Sequence, residues 1–245
     1  MRLGQALPLA LSCIAEADRV LYLVSDAVME ASVLRLNERS ENLATLYAEG
    51  KPREQTYAEI VDRIEALLDE GLNVCFAVYG HPGIAADSTH AAVRRAREKG
   101  HTAEMIPGIS TLDCLCADLG IDPVAQSCQL AEATEFLLYD RHPDTSAGLV
   151  LFQAGVTGDL SHAVKQNKSG FLALVEHLAV HYPADHEITI YEAASWPLSE
   201  ARVARLPLSA LGGVDVSPSA TLYIPALSER TLDVQFARKL LRFKE

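Results

Sequence analysis

The sequence predicts an α/β fold whose first half is a mostly parallel sheet and whose second half is a mixed one. Three observations carry that expectation. Strand-length apolar runs alternate with helical patterns through residues 1–122, the arrangement of a parallel sheet covered by helices. The apolar run Leu72–Val78 ends abruptly in Tyr79-Gly80-His81-Pro82-Gly83, which reads as a buried strand emptying into a tight loop. In the second half, three strand patterns follow one another with short connections, which suits antiparallel pairing.

Taken in order, a helical pattern over residues 6–17 leads into a strand at Arg19–Val24 and a helix near Asp26–Leu36. A helix is expected over Pro52–Asp69. Gly50 closes the preceding element, Pro52 suits a first helical turn, and the apolar positions 57, 60, 61, 64, 67 and 68 form one stripe. After the strand Leu72–Val78, a helix over Ser88–Lys99 stops at Gly100, with basic residues in its last turns where the helix dipole favours them. A strand at Thr102–Ile106 follows, then Pro107-Gly108-Ile109-Ser110 and a short helix to Leu119.

The turn-rich stretch Gly120–Ser127 reads as a linker and divides the chain into two α/β domains, residues 1–122 and 123–227, and a tail, 228–245. Beyond the linker come a strand at Gly148–Gln153, a helix at Ser169–Tyr182, and strands near Glu187–Ala193, Ala201–Pro207 and Ala220–Pro225. The tail ends in a basic amphipathic stretch, Phe236–Lys244, expected to be a surface or interface helix.

Composition narrows the function classes. The 245 residues leave room for one large or two small α/β domains. A net charge of −12 argues against a nucleic-acid partner, which is bound through basic patches. No apolar stretch is long enough to span a membrane, and the apolar Leu7–Ile14 is followed at once by Glu16, Asp18 and Arg19, so it reads as an amphipathic helix and not a signal peptide. Five cysteines, mostly in apolar surroundings, fit reduced thiols in a cytoplasmic protein. Cys114 and Cys116 diverge on a helix and are read as packing. His177 and His181 have a spacing that metal sites use, but no Glu follows His177 and no metal site is expected. Walker A, Gly-x-Ser-x-Gly and Gly-x-Gly-x-x-Gly signatures do not occur.

Two places offer chemistry. Ligands of open α/β sheets bind at the carboxyl ends of the strands, where the loop after Val78 presents Tyr79 and His81. His81 could be a ligand, a base or a loop hydrogen-bonder. Arg53 and Tyr57 are four apart and share one face of the open end of a helix. A guanidinium close to a phenol makes it ionise more easily than its usual pKa of about 10, which would give a base or a carbonyl-polarising pair. Spacing alone favours the alternative, in which Tyr57 heads the core stripe and Arg53 is solvated.

The chain resembles the tetrapyrrole-methylase superfamily of class III S-adenosylmethionine-dependent methyltransferases, and within it the borosins, the peptide backbone α-N-methyltransferases. The resemblance rests on Leu46-Tyr47, Gly50-Lys51-Pro52-Arg53 and Thr56-Tyr57; on Val78–Gly83; and on Pro107–Ser110 with Ala117–Pro123. Ala131–Thr134, Leu151–Gln153, His186–Ala194 and Ser219–Pro225 extend it over nearly the whole chain. The resemblance implies two α/β domains with the cofactor folded into the cleft between them. It implies cofactor contacts at Tyr79, His81, Pro82, Ser110, Thr111, Gln153, Ser219 and Ala220, and catalytic positions at Tyr47, Arg53, Tyr57 and Tyr79. The implied cofactor is S-adenosyl-L-methionine, leaving as S-adenosyl-L-homocysteine, and the implied assembly is a homodimer. Members of the family begin with a strand and a Gly-x-Gly loop ahead of the segment matching Arg2–Gln5, whereas this sequence starts at Met1. Fungal borosins also carry their substrate peptide after the methyltransferase domain. This sequence ends at Glu245, so it is expected to be a split enzyme whose precursor peptide is a separate protein. The competing expectations are a small-molecule methyltransferase acting on a corrin-type tetrapyrrole and a non-catalytic binding module.

Overall fold

A computed structural model describes residues 5–125, 127–194, 199–227 and 232–241. The first half contains α1 (Pro8–Glu16), β1 (Arg19–Leu23), α2 (Ala27–Leu36), β2 (Ser40–Asn42), α3 (Arg53–Asp69), β3 (Val74–Val78), α4 (Asp87–Glu98) and α5 (Thr111–Leu119). Its three strands lie in the order β2-β1-β3, all parallel, with Val20 opposite Cys75 and Tyr22 opposite Ala77. Side chains alternate across β1. Val20 and Tyr22 pack with Ile14 and Val33 of α1 and α2, whereas Leu21 packs with Ile60, Val61, Ile64 and Leu67 of α3. That is the expected stripe of α3, and burying it is what fixes the helix against the sheet. Asp26 caps α2 by accepting from the amides of Val28 and Met29.

Two strand expectations are corrected here. Thr102–Ile106 is not a strand: among the described residues its backbone makes one hydrogen bond, accepted by Ala103 O from Arg97 Nε. A strand needs a partner, and a cavity of about 650 Å³ separates this segment from β3. For the same reason β3 is not a buried strand. All five of its residues are half-buried, because its outer edge borders that cavity. Sequence reading also missed β2, a three-residue strand with no apolar run, and the 3-10 turn Leu43–Leu46 that follows it.

The second half contains β4 (Cys128–Glu132), α6 (Ala133–Leu138), β5 (Gly148–Phe152), α7 (Lys168–His181), β6 (Glu187–Glu192), β7 (Arg202–Pro207), α8 (Leu208–Leu211), β8 (Thr221–Ile224) and α9 (Val234–Leu241). The sheet order is β4-β5-β8-β6-β7, with β4 and β5 parallel and the other pairs antiparallel, so the mixed sheet is as expected. β4 and α6 were not foreseen, since Cys-Gln-Leu-Ala-Glu carries no clean apolar alternation and occupies a half-exposed sheet edge. One face of this sheet packs on α6 and α7 through Phe136, Phe171, Leu174 and Leu178. The other face, with Val150, Phe152, Tyr191 and Tyr223, packs on α5 through Leu115. Thus α5, ahead of the expected linker, rests on the second sheet, and Tyr191 Oη donates to Asp118 Oδ2 at 2.7 Å.

The five cysteines are free and half-buried, and Cys114 Sγ accepts from Gln5 Nε2. Among the described residues no helix is long and apolar enough to cross a membrane, and no His, Cys, Asp or Glu cluster has metal-site geometry. Met1–Gly4 of the expected family match, Gln126 of the linker, and residues 228–231 and 242–245 of the tail lie outside the described residues.

Candidate active site

The two halves meet at the start of α3. Pro52 forms an antiparallel bridge with Ser161, and the Arg53 amide donates to Leu160 O at 2.9 Å. The Arg53 side chain makes three hydrogen bonds in the same junction. Its Nε donates to Ser161 O (2.8 Å), its Nη1 to Gln153 Oε1 (3.0 Å) and its Nη2 to Asp159 O (3.0 Å). The expectation of a solvated Arg53 is therefore overturned. These three bonds leave two of the five guanidinium N–H groups for other acceptors.

Tyr57, one turn further along α3, is half-buried among core side chains that also include Tyr47. Burial raises the Tyr57 pKa; the Arg53 charge and hydrogen bond oppose the rise, and Asp87 and Tyr79 add to it. Burial likewise pushes Tyr47 up to about 12, with Tyr57 and Tyr79 adding to the rise and Arg53 opposing it. This corrects the expectation that the guanidinium makes Tyr57 easier to ionise: desolvation outweighs the charge, and both phenols are protonated at neutral pH. Arg53 and Tyr79 thus act electrostatically on both Tyr47 and Tyr57.

Tyr79 is 56% exposed at the end of β3, where Gly80 turns the chain at φ 86°. The next loop approaches it closely. A Cβ on Gly108 would lie 2.5 Å from Gly80 O, so only glycine allows the 107–110 segment to touch the 79–83 loop. His81 is a loop hydrogen-bonder, its Nδ1 accepting from the Gly83 amide at 2.9 Å. Ser110 is buried and opens α5 with a capping box: its Oγ accepts from the Asp113 amide, while Asp113 Oδ2 accepts from the Ser110 amide and hydroxyl. Burial raises the Asp113 carboxyl, but the Ser110 bonds outweigh it and, with His81 nearby, hold it below the usual range. Thr111 is the first residue of that helix.

Gln153 ends β5 in the left-handed region at φ 57°, a conformation few non-glycine residues hold. Its neighbour Ala154 donates to Ala220 O, which brings the 217–220 turn alongside. Gly155 packs so tightly there that a Cβ would overlap Ser217 O. Ser219 is exposed beside the buried Ala220. The start of α3 and the β5 and 217–220 segments are thus linked through Arg53 and Gln153, and the 79–83 and 107–111 loops through Gly80 and Gly108. The large cavity lies behind these loops: it borders Gly80, Pro82 and Gly108, and none of Tyr47, Arg53, Tyr57, Tyr79 or Gln153 lines it.

Sequence reasoning missed His162, whose ring lies 4.9 Å from that of Tyr47, and the carbonyls of Asp159 and Ser161 that hold Arg53. No local spacing could reveal them, since Asp159 and Ser161 lie more than a hundred residues from Arg53. His177 and His181 do come together, with His142 as a third ring; burial and the two neighbouring imidazoles keep His181 below its ordinary pKa.

Two of these side chains keep groups available to a ligand. Tyr79 offers an open aromatic face, and Gln153 keeps its Nε2 free of partners among the described residues. Residues 8–212 match the profile of a family described as tetrapyrrole (corrin/porphyrin) methylases. Among curated proteins, the chain is 35% identical over 241 residues to a methyltransferase/ribosomally synthesized type I borosin cyclic peptide precursor of Coprinopsis marcescibilis, covering 95% of this chain and 61% of that protein. It is 34% identical over 244 residues to the methyltransferase/omphalotin A precursor of Omphalotus olearius, covering 97% and 58%. The chain therefore spans about three-fifths of the length of these relatives. Among solved structures, the uroporphyrin-III C-methyltransferase of Thermus thermophilus in complex with S-adenosyl homocysteine superposes with a TM-score of 0.59 at 19% identity, covering 91% of each chain. At that identity the likeness is one of fold.

Proposed function

Because the chain belongs to the tetrapyrrole (corrin/porphyrin) methylase family, whose methyl donor is S-adenosylmethionine, we propose that it methylates backbone amide nitrogens of a precursor peptide. The observation that carries this reading is the constellation of Arg53 with Tyr47, Tyr57 and Tyr79, assembled at the junction of the two halves. The similarity to curated borosin precursors supports it. We take residues 1–122 and 123–227 as the two domains and the junction between them as the cofactor cleft. Tyr79, His81, Pro82, Ser110, Thr111, Gln153, Ser219 and Ala220 are the proposed cofactor contacts.

The cofactor supplies an electrophilic methyl on a sulfonium. The chain's task is to make an amide nitrogen nucleophilic, which resonance with the carbonyl opposes. The remaining N–H groups of Arg53 donate to the peptide carbonyl oxygen and stabilise the charge that develops on it. Tyr57, once ionised, takes the amide proton on its Oη; Arg53 lowers the cost of that ionisation and Tyr47 lines the same pocket. Tyr79 and the glycine-hinged loop behind it orient the methyl group toward the nitrogen.

We propose further that the peptide is a separate polypeptide and that the enzyme is a cytoplasmic homodimer. The backbone of α9 is engaged within a helix, with the Ala237 amide donating to Asp233 O, and so is not presented as a substrate. The exposed Val234, Phe236 and Leu240 on the same tail support a subunit contact. The five free thiols support a reducing compartment. The test is incubation with labelled cofactor and a candidate precursor peptide, followed by tandem mass spectrometry. Label on peptide amide nitrogens is the expected result. Methyl groups on this chain's own tail would overturn the separate-peptide reading, and label appearing only on an added tetrapyrrole would overturn the peptide reading altogether.

A further inference from the structure

The loop that follows β5 supports the junction twice. Asp159 O, Leu160 O and Ser161 O are consecutive carbonyls, and all of them accept from Arg53: from Nη2, from the backbone amide and from Nε. The next side chain in the loop, His162, is laid on Tyr47, with ring centroids 4.9 Å apart and ring planes at 52°. That separation lies in the range where aromatic rings attract one another, about 4.5–7 Å, and the tilt avoids a face-to-face sandwich. One short run of chain, Asp159 to His162, thus touches both the cation and one phenol of the proposed catalytic set.

The loop is built to hold its shape. Asp159 Oδ1 accepts from both the amide and the hydroxyl of Ser161 at 2.7 Å, which closes a tight local turn directly ahead of His162. The base of the loop is tied to the second half. The Gly158 amide donates to Thr134 Oγ1, the Asn167 amide to Gly155 O, and Asn167 Nδ2 to Thr157 O. Close packing adds to these bonds, since a Cβ on Gly170 would overlap Thr157 O. A ring carried on backbone this constrained has little left to order but its own side-chain torsions.

Tyr47 needs such a neighbour. Its backbone is set by the 3-10 turn Leu43–Leu46, the Tyr47 amide donating to Ala44 O. Its hydroxyl has no hydrogen-bond partner among the described residues, so the phenol is oriented by what its ring packs on. The apolar cluster of α3 supplies one part of that packing, and His162 brings a ring from the second half. His162 is exposed, and its ring nitrogens have no partner among the described residues, which leaves the ring face as the part that acts.

We infer that His162 is a positioning residue for methyl transfer: its ring orders the Tyr47 phenol at the pocket, in register with the Arg53 guanidinium that the same loop grips. The inference rests on the reading of Tyr47 and Arg53 as parts of a peptide-methylating site. Removing the His162 side chain leaves the carbonyl grip on Arg53 in place, so the two contacts can be separated by experiment.

The test uses His162→Ala, which removes the ring, and His162→Phe, which restores a ring without nitrogens. The first readout needs no substrate. In protein carrying carbon-13 in its tyrosine rings, the Tyr47 resonance is the one missing from Tyr47→Phe. It is expected to move in His162→Ala and to return most of the way in His162→Phe. The second readout is turnover with S-adenosylmethionine and a candidate precursor peptide. His162→Ala is expected to lower kcat about fivefold, with cofactor affinity and melting temperature unchanged, and His162→Phe to recover most of the loss. In a Tyr47→Phe background the alanine substitution is expected to have no further effect, because the hydroxyl through which it acts is gone. An unmoved Tyr47 resonance overturns the inference whatever turnover does. So does an unaltered kcat in His162→Ala, or a loss that persists in the Tyr47→Phe background. A loss that His162→Phe does not recover also overturns it, since the imidazole nitrogens would then be what acts. If the parent chain methylates no peptide, it is the peptide reading that fails, and the resonance readout still decides whether His162 orders Tyr47.

Discussion

Arg53 Nη1 donates to Gln153 Oε1 across 3.0 Å, tying the first turn of α3 to the residue that ends β5. Gln153 holds a left-handed backbone at φ 57°. That geometry costs a non-glycine residue about 1 kcal/mol, and the bond to Arg53 offsets part of it. A double-mutant cycle of Arg53→Lys and Gln153→Ala, followed by urea denaturation, is expected to give a coupling of about 1 kcal/mol. Additive effects would mean that the two side chains are independent.

The backbone and side-chain roles of Gln153 separate with a second substitution. Gln153→Gly relieves the left-handed strain, whereas Gln153→Ala keeps it. The glycine variant is expected to be about 1 kcal/mol more stable than the alanine variant. Methylation should fall equally in both, since both lose the amide that faces Arg53. Equal stabilities would contradict the strain.

Removing one hydroxyl tests the proposed base. Tyr57→Phe should lower kcat about a hundredfold or more while leaving the melting temperature unchanged or higher, because the phenol is half-buried in the apolar cluster of α3. Tyr47→Phe should give a smaller loss of kcat. A Tyr57→Phe enzyme with wild-type turnover would remove Tyr57 from the mechanism.

The raised tyrosine pKa values set the pH dependence. A base that must first ionise gives a rate that climbs with pH below its pKa, so kcat should still be rising at pH 9, and Tyr57→Phe should flatten the profile. Stability has the opposite sign. The Tyr47 pKa is raised from 10.0 to about 12 in the fold, so its contribution is complete below pH 10 and is lost as pH rises toward 12. Thermal melts across that window should show a steeper fall for the parent chain than for Tyr47→Phe.

The contact between the two glycine loops should be sensitive to one methyl group. A Cβ on Gly108 would sit 2.5 Å from Gly80 O, which forces the 107–110 and 79–83 segments apart. Gly108→Ala is expected to weaken S-adenosylmethionine binding about tenfold or more by calorimetry, with a loss of stability of about 1–3 kcal/mol. Undiminished affinity would show that these loops do not shape the cofactor site.

Most of the fold was legible where periodicity reports burial. The α3 stripe and the strand patterns of β5 to β8 depend on contacts that repeat locally. Thr102–Ile106 misled because its apolar alternation is strand-like, yet strand formation depends on a neighbour that its own residues do not encode. At the site, the Arg53–Tyr57 spacing was visible, but its electrostatics were not. A four-residue spacing says that a charge is near a phenol, and only the packing around Tyr57 says that desolvation prevails. Gln153, Asp159 and Ser161 became partners of Arg53 through the bridge at Pro52, which joins segments a hundred residues apart.

The order β4-β5-β8-β6-β7 places the last strand of the sheet in its middle. Leu222 pairs with Leu151 on one side and Ile190 on the other, so β5 and β6 have no common neighbour until residue 224 has been made. During synthesis the strands wait with open edges, and the sheet closes in one late step that sets Ala220 against Ala154. A ribosome stalled before Thr221 would carry a nascent chain with its first helices formed and the edges of β5 and β6 open, exposed to misassembly until β8 emerges.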